Sequence, residues 1–130
     1  MVSCVIAAMF VRNVDVIVGT SPQFFTVGAA YLTSVFKQKP WVFELRDIWP
    51  ESIRAVGAMT NLKVLGLLEK IELFLYRRAS LIVSVTHSFK ENLVQRGIEK
   101  NKIEVITNGV DSSLFSPRTK DQRLVEQYNL

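Results

Sequence analysis

One hundred and thirty residues with a single cysteine suffice for one domain with a real core and exclude an intrachain disulfide framework. A hydrophobic share of 48% against 22% charged is globular composition and excludes disorder. The net charge of +4 suits an anionic lipid surface or a phosphorylated ligand; the basic residues are scattered and no nucleic-acid signature occurs, so no nucleic acid is expected as a partner.

The lone Cys4 suits a reducing cytoplasm, and one His beside one Cys leaves no metal cluster to expect. The chain opens on MVSCVIAAMFV, too short to span a membrane and not preceded by the basic region of a signal peptide. It reads as the middle of a helix, with no cap and no opening strand before it. The expectation is that residues 1–12 are the remnant of a domain whose beginning precedes Met1.

Val14 to Val18 is a β-branched run predicted as the first strand, stopping at Gly19-Thr20-Ser21-Pro22. Ser21 is placed as the N-cap of the next helix and Pro22 at its first position. Gln23 to Phe36 reads as that helix, and Trp41 to Leu45 as a second strand. Asn61 to Ala79 is the longest helical segment. On a wheel its Val64, Leu67, Leu68, Ile71, Phe74 and Leu75 form the stripe expected against the sheet. Leu62, Leu65, Leu73 and Tyr76 fall outside it, beside Lys63, Lys70 and Arg77, an outer face suited to an anionic bilayer or to another domain or subunit.

Leu81 to Val85 is the third strand. Ser88 to Arg96 is a helix opened by a capping-box pattern, Ser88 with Glu91, and closed by Gly97. Ile103 to Ile106 is the fourth strand, ending in a turn at Asn108-Gly109. Short apolar strands alternating with helices predict an α/β fold, an open doubly wound parallel sheet of Rossmann-like type covered on both faces. Its domain is set at residues 13–117. The polar residues 118–130 read as a linker and the start of a second domain. If opening strands lie outside the chain, an unpaired edge and an uncovered sheet face are expected to promote self-association. The dinucleotide fingerprint, the P-loop and the G-x-S-x-G elbow are all absent.

The stretch WVFELRDIWPES, Trp41 to Ser52, is the most informative. An apolar strand delivers Arg46 and Asp47 to its carboxyl end, where open parallel sheets bind ligands. A structural role, mutual pairing or capping, competes with recognition there. Four loops should share that edge: Ser21-Pro22-Gln23, Arg46-Asp47, Thr86-His87-Ser88 and Asn108-Gly109-Val110-Asp111. Their hydroxyl, amide and charged groups suit hydroxyl-rich or phosphorylated ligands, although caps and turns favour the same residues. For Ser21 and Ser88 the capping role is preferred, and a lone His such as His87 is ordinarily a helix-start residue.

Together RDIWPES, SLIVSVTHSFKENL and KIEVITNGVDSSLFSP resemble the N-terminal domain of family 4 glycosyltransferases, retaining sugar-nucleotide-dependent enzymes of two-domain GT-B fold. The Arg46-Asp47-x-Trp49-Pro50-Glu51-Ser52 version is similar to a bacterial subgroup building O-antigen, capsule and exopolysaccharide units on a lipid carrier. The resemblance implies a nucleotide sugar as donor substrate, no other cofactor, and a sugar or lipid-linked acceptor. It implies Asp47 as the catalytic candidate, orienting an acceptor hydroxyl or stabilising positive charge. Arg46 is implied to hold an acceptor phosphate, with Glu51, Ser21 and His87 as further substrate-binding candidates. Asn108, Gly109 and Asp111, followed by Phe115 and Pro117, look like the turn that leaves the first domain.

Two departures qualify the likeness. Many family members place a His at the end of the strand matching Trp41–Leu45, where this chain has Arg46-Asp47. The glycine-rich first loop would precede Met1, and a donor-binding domain with its Glu-x7-Glu motif would follow Leu130. The expectation is therefore a chain truncated at both ends and inactive alone, cytoplasmic and peripheral at the inner face of the plasma membrane. The competing readings are a non-enzymatic membrane-adaptor subunit of a split glycosyltransferase, and a small-ligand α/β module unrelated to sugars.

Overall fold

The computed structural model describes residues 2–49, 52, 57, 61–116 and 120–129. In chain order these form α1 (Val2–Phe10), β1 (Ile17–Thr20), α2 (Phe24–Lys37), β2 (Trp41–Leu45), α3 (Leu62–Arg78), β3 (Leu81–Ser84), α4 (His87–Gln95), a 3-10 turn (Lys100–Lys102), β4 (Ile103–Val105) and α5 (Gln122–Tyr128). The four strands form one parallel sheet in sequential order β1-β2-β3-β4. This is the expected Rossmann-like α/β architecture.

Sequential order has a consequence for layering. Crossovers of one hand between successive neighbours return every connecting helix to the same face. Burial alternates accordingly along the strands: Trp41, Phe43 and Leu45, with Ile82 and Ile103, enter one core with Val27 and Ala30 of α2, Leu75 and Tyr76 of α3, and Leu93 of α4. The other face carries Val18, Val42, Glu44, Leu81, Val83 and Glu104, none fully buried. Among the described residues helices therefore cover one face rather than both.

Local chemistry sets the element ends. Asn61 caps α3, its Oδ1 accepting from the amides of Lys63 and Val64 at 3.1 and 3.3 Å. Beyond α4, Gly97 takes the expected left-handed turn, φ +82°. The first strand differs from expectation, running Ile17–Thr20 instead of Val14–Val18. Its ladder to β2 opens with the Ile17 amide donating to the Pro40 carbonyl, so Val14–Val16 lie before the first available partner. Gly19 is thus a strand residue, not punctuation. A Cβ there would stand 2.7 Å from the Ala30 Cβ, so its absence lets α2 lie close on β1.

The largest departure is the rotation of α3. Leu65, Leu75 and Tyr76 are buried, while Val64, Leu67, Ile71 and Phe74 of the expected inner stripe are exposed. The cause is Glu72, only 2% exposed, whose Oε2 lies 2.7 Å from Arg96 Nη2 just beyond α4 and whose Oε1 accepts from the Tyr76 hydroxyl at 2.7 Å. A carboxylate so matched can sit inward, and Tyr76 follows it to pack on Phe43, ring centroids 4.6 Å apart. Burial opposes the Arg96 charge, but the Glu72 hydrogen bond and the charges of Glu72, Tyr76 and Glu69 outweigh it and raise the guanidinium pKa above its ordinary value.

Arg96→Met removes the cation opposite a buried carboxylate and should cost roughly 3 kcal/mol. A urea titration should show a lower midpoint at unchanged slope, and Glu72→Gln in the same chain should recover part of the loss. An unchanged midpoint would show that the pair does not hold α3.

Candidate functional site

At the carboxyl edge of the sheet, the loops after β1 and β2 are tied together by one hydroxyl. Ser21, 4% exposed, accepts from the amides of Arg46 and Asp47 at 2.9 and 3.2 Å, and its own hydroxyl donates to the Asp47 carbonyl at 3.2 Å. Ser21 is therefore not a helix cap. The N-cap position of α2 belongs to Gln23, without a side-chain bond, and the helix starts at Phe24 instead of Pro22, which follows a cis peptide bond. The Ser21 amide bonds the Glu44 carbonyl at 3.0 Å, which leaves its side chain lying across the next strand's end.

The clasp fixes the backbone of Arg46 and Asp47 and leaves their side chains available. Arg46 is exposed and Asp47 half-buried, and among the described residues neither side chain makes an ion pair or hydrogen bond, with each other or with a helix end. Behind them Ile48 is buried, and Trp49 stacks on Phe24 with centroids 5.2 Å apart. The space under the loop, lined by Ser21, Asp47, Trp49 and Glu72, is about 10 Å³, room for one water at most, so a ligand must sit above the loop. Glu51, like Pro117, lies outside the described residues.

The edge continues through β3 and β4. The Val85 amide bonds the Leu45 carbonyl and the Ile106 amide bonds the Ser84 carbonyl, which keeps the departing loops side by side. The fully buried Ser84 hydroxyl donates to the Thr86 carbonyl at 2.8 Å. Thr86, not Ser88, caps α4, its Oγ1 accepting from the Phe89 amide at 3.1 Å. Ser88 and Glu91 therefore form no capping box, and the exposed His87 is the first helical residue of α4.

After β4 the expected Asn108-Gly109 turn is absent. Both residues are exposed in irregular chain without a positive φ. The turn forms at Asp111, whose Oδ1 accepts from the Ser113 amide and hydroxyl at 2.9 and 2.6 Å and whose carbonyl accepts from the Leu114 and Phe115 amides. The fold thus joins Ser21, Arg46 and Asp47 directly, lines up His87 and Asn108 from the next two strands, and sets Asp111 in a turn of its own.

Two groups escaped the sequence reading. Thr20 Oγ1 donates to Glu44 Oε2 at 2.6 Å near the same edge, on the sheet face without helices. Glu72 lies beneath the Asp47 loop. Glu72 carries no signal of its own in a helix that also holds Glu69, Lys63, Lys70, Arg77 and Arg78; the Thr20–Glu44 bond depends on strand register.

Ser21→Ala leaves the Arg46 and Asp47 amides without their acceptor at a cost of roughly 1–3 kcal/mol. Their hydrogen exchange should accelerate selectively while the amides of β3 stay protected; uniform acceleration, or none, would deny the clasp. The Asp111 carboxyl is held below its ordinary range by the Ser113 hydroxyl, then by the Ser113 amide. A lowered folded pKa contributes stability above the unfolded value of ~3.9, lost as pH falls through the folded value. An NMR titration of the Ser113 amide should therefore show the turn opening below that value, and a midpoint at or above it would rule the bond out.

No curated protein matches the chain at significance. Among solved structures, the crystal structure of Anabaena HepE in complex with UDP-glucose superposes with a TM-score of 0.64 at 20% identity, over 98% of this chain and 32% of that one. HepE with UDP and glucose gives the same score and identity over 31% of its length, and HepE with UDP gives 0.63 at 18% identity over 32%. The chain thus spans about a third of the length of these proteins, and the likeness is one of fold. The family model described as Glycosyltransferase Family 4 matches residues 3–114, a span enclosing every strand and all four edge loops. The chain belongs to that family.

Proposed function

We propose that these residues form the acceptor-side domain of a retaining glycosyltransferase that moves a sugar from a nucleotide sugar to a lipid-linked or polysaccharide acceptor of the bacterial cell envelope. The observation that carries this reading is the Ser21 clasp, which presents Arg46 and Asp47 with fixed backbones and unengaged side chains at the ligand-binding edge of the sheet. Such preorganisation suits an acceptor group that must be aligned before reaction. Arg46 offers a bidentate donor to an acceptor phosphate. Asp47 orients the acceptor hydroxyl or faces the positive charge that develops as the sugar bond breaks. His87 and Glu51 complete the acceptor contacts, while Asn108, Gly109 and Asp111 lead the chain toward the donor domain.

HepE was crystallised with UDP-glucose, and the span matched here is about a third of its length. On this reading the donor is a nucleotide sugar held mainly by a further domain, without a metal, and the 130 residues alone transfer no sugar. The working place is the inner face of the plasma membrane. A second reading, the adaptor subunit of a split glycosyltransferase, draws on the exposed apolar residues of α3 beside Lys63, Lys70 and Arg77.

The purified chain should give NMR shift changes at Arg46 and Asp47 with a phosphate-linked sugar acceptor analogue, weakened at least tenfold by Arg46→Gln, and only weak changes with UDP-glucose. Sugar transfer by the chain alone, or tight UDP-glucose binding at this loop, would overturn the acceptor-side assignment.

A further inference from the structure

We infer that the free edge of β1 receives an extended, uncharged strand from another polypeptide, seated beneath α1. β1 is an end strand of the sheet. Its Ile17 amide bonds the Pro40 carbonyl and the Ser21 amide bonds the Glu44 carbonyl, so the odd-numbered residues of β1 face β2. Main-chain groups alternate in direction along a strand, and those of Val18 and Thr20 therefore point away from the sheet. Among the described residues no strand lies beside them. Ile17–Thr20 carries no charge, no proline and no bulge, the devices that ordinarily blunt an edge.

The opposite edge is closed. β4 is three residues long, contains Glu104 and follows Lys102. The Ile106 amide bonds the Ser84 carbonyl, which turns the Ile103 carbonyl outward, and the Lys90 ammonium donates to it. Strand addition is thus directed to β1. Beside that edge runs an open apolar groove of about 330 Å³, walled by Cys4 and Ala8 of α1, Ala29 and Thr33 of α2, and Val16 and Val18. Helix α1 has no charged side chain. Lys37, at the end of α2, donates to the Met9 and Val11 carbonyls at 3.2 and 2.7 Å, which holds α1 over the groove. On the helix-free face Val16 and Val18 are 49% and 57% exposed.

These walls specify the occupant. A strand laid against Val18 and Thr20 satisfies their amides and carbonyls. It sends alternate side chains under α1 and the others toward Val16 and Val18 on the helix-free face, so both rows must be uncharged. An acyl chain would fill the groove but displace water from these main-chain groups without replacing its bonds. A second copy pairing through its own β1 would bring its α2, close-packed on that strand at Gly19, into the space that α1 holds. The fitting partner is an extended β-branched segment matching the four residues of β1, with no helix over its inner side. One end of it lies next to the Ser21 clasp and extends the carboxyl edge. The inference stands whether or not that edge takes a sugar acceptor.

The test uses the 130-residue chain and a synthetic peptide of its β3 sequence, Ser80–Val85, with a lysine tail for solubility; β3 already pairs on both sides in this sheet. Exchange of the Val18 and Thr20 amides should be fast in the chain alone and roughly tenfold slower with peptide, while β4 amides are unchanged. Val18→Pro deletes an outward amide and no bond to β2, so it should abolish peptide protection with the circular dichroism unchanged. Val105→Pro, at the opposite edge, should leave it intact. Should Val18→Pro fail to fold, peptides N-methylated on alternate residues, in the two possible phases, test the unaltered chain: one phase should lose binding and the other keep it. No protection at millimolar peptide, equal protection in Val18→Pro, or equal loss with both phases overturns the inference. So does protection of Val18 and Thr20 that rises with protein concentration in the absence of peptide, since the occupant would then be a second copy.

Discussion

The rotation of α3 about its own axis is the constraint on which most of this structure turns, and a single buried ion pair sets it. Glu72 could have faced water, with the more hydrophobic stripe of the helix against the sheet. Instead Arg96 meets it from beyond α4, and the carboxylate goes inward with Tyr76 and Leu65. Desolvating two charges is expensive, so the arrangement adds little net stability over an apolar one; what it adds is a defined orientation. Because α3 is locked this way, Val64, Leu67, Ile71 and Phe74 are left outside. The surface chemistry of the domain follows from its interior electrostatics.

The same interior supports the carboxyl edge of the sheet. Glu72 and Leu75 form part of the floor beneath the Asp47 loop, and Ser21 forms part of its side. One hydroxyl satisfies two amides and a carbonyl at the point where β2 ends, a place where backbone groups would otherwise need water or a cap. Polar satisfaction of the main chain by Ser21 is what leaves the side chains of Arg46 and Asp47 uncommitted. A loop of this kind is stiff in its backbone and open in its chemistry, the combination a recognition site requires.

Elements governed by local rules were legible in the sequence. The bounds of β2 follow from an apolar run between Pro40 and the charged pair; Asn61 and Gly97 do what their side chains, or lack of one, permit. The class of fold follows from alternation of short apolar strands with helices. Features that depend on a partner distant in the chain were not legible. Ser21 looks like a cap because Ser before Pro usually is one, and only the packing of β1 beside β2 turns its hydroxyl sideways. The α3 wheel placed Leu65 and Tyr76 outside because nothing in that helix announces that Arg96 draws Glu72 inward. Thr86 outcompetes Ser88 because β3 ends early, at Ser84, whose buried hydroxyl holds the chain in the turn before α4. In the candidate site, the residue types and the edge were readable, but the geometry linking Ser21 to Asp47 was not.

Sequence, packing and site meet at Phe24. It opens α2, stacks on Trp49 from the Asp47 loop, and touches Phe25 on the outer apolar face. The domain therefore has a continuous path of contacts from the apolar surface to the polar edge, made by adjacent residues of one helix.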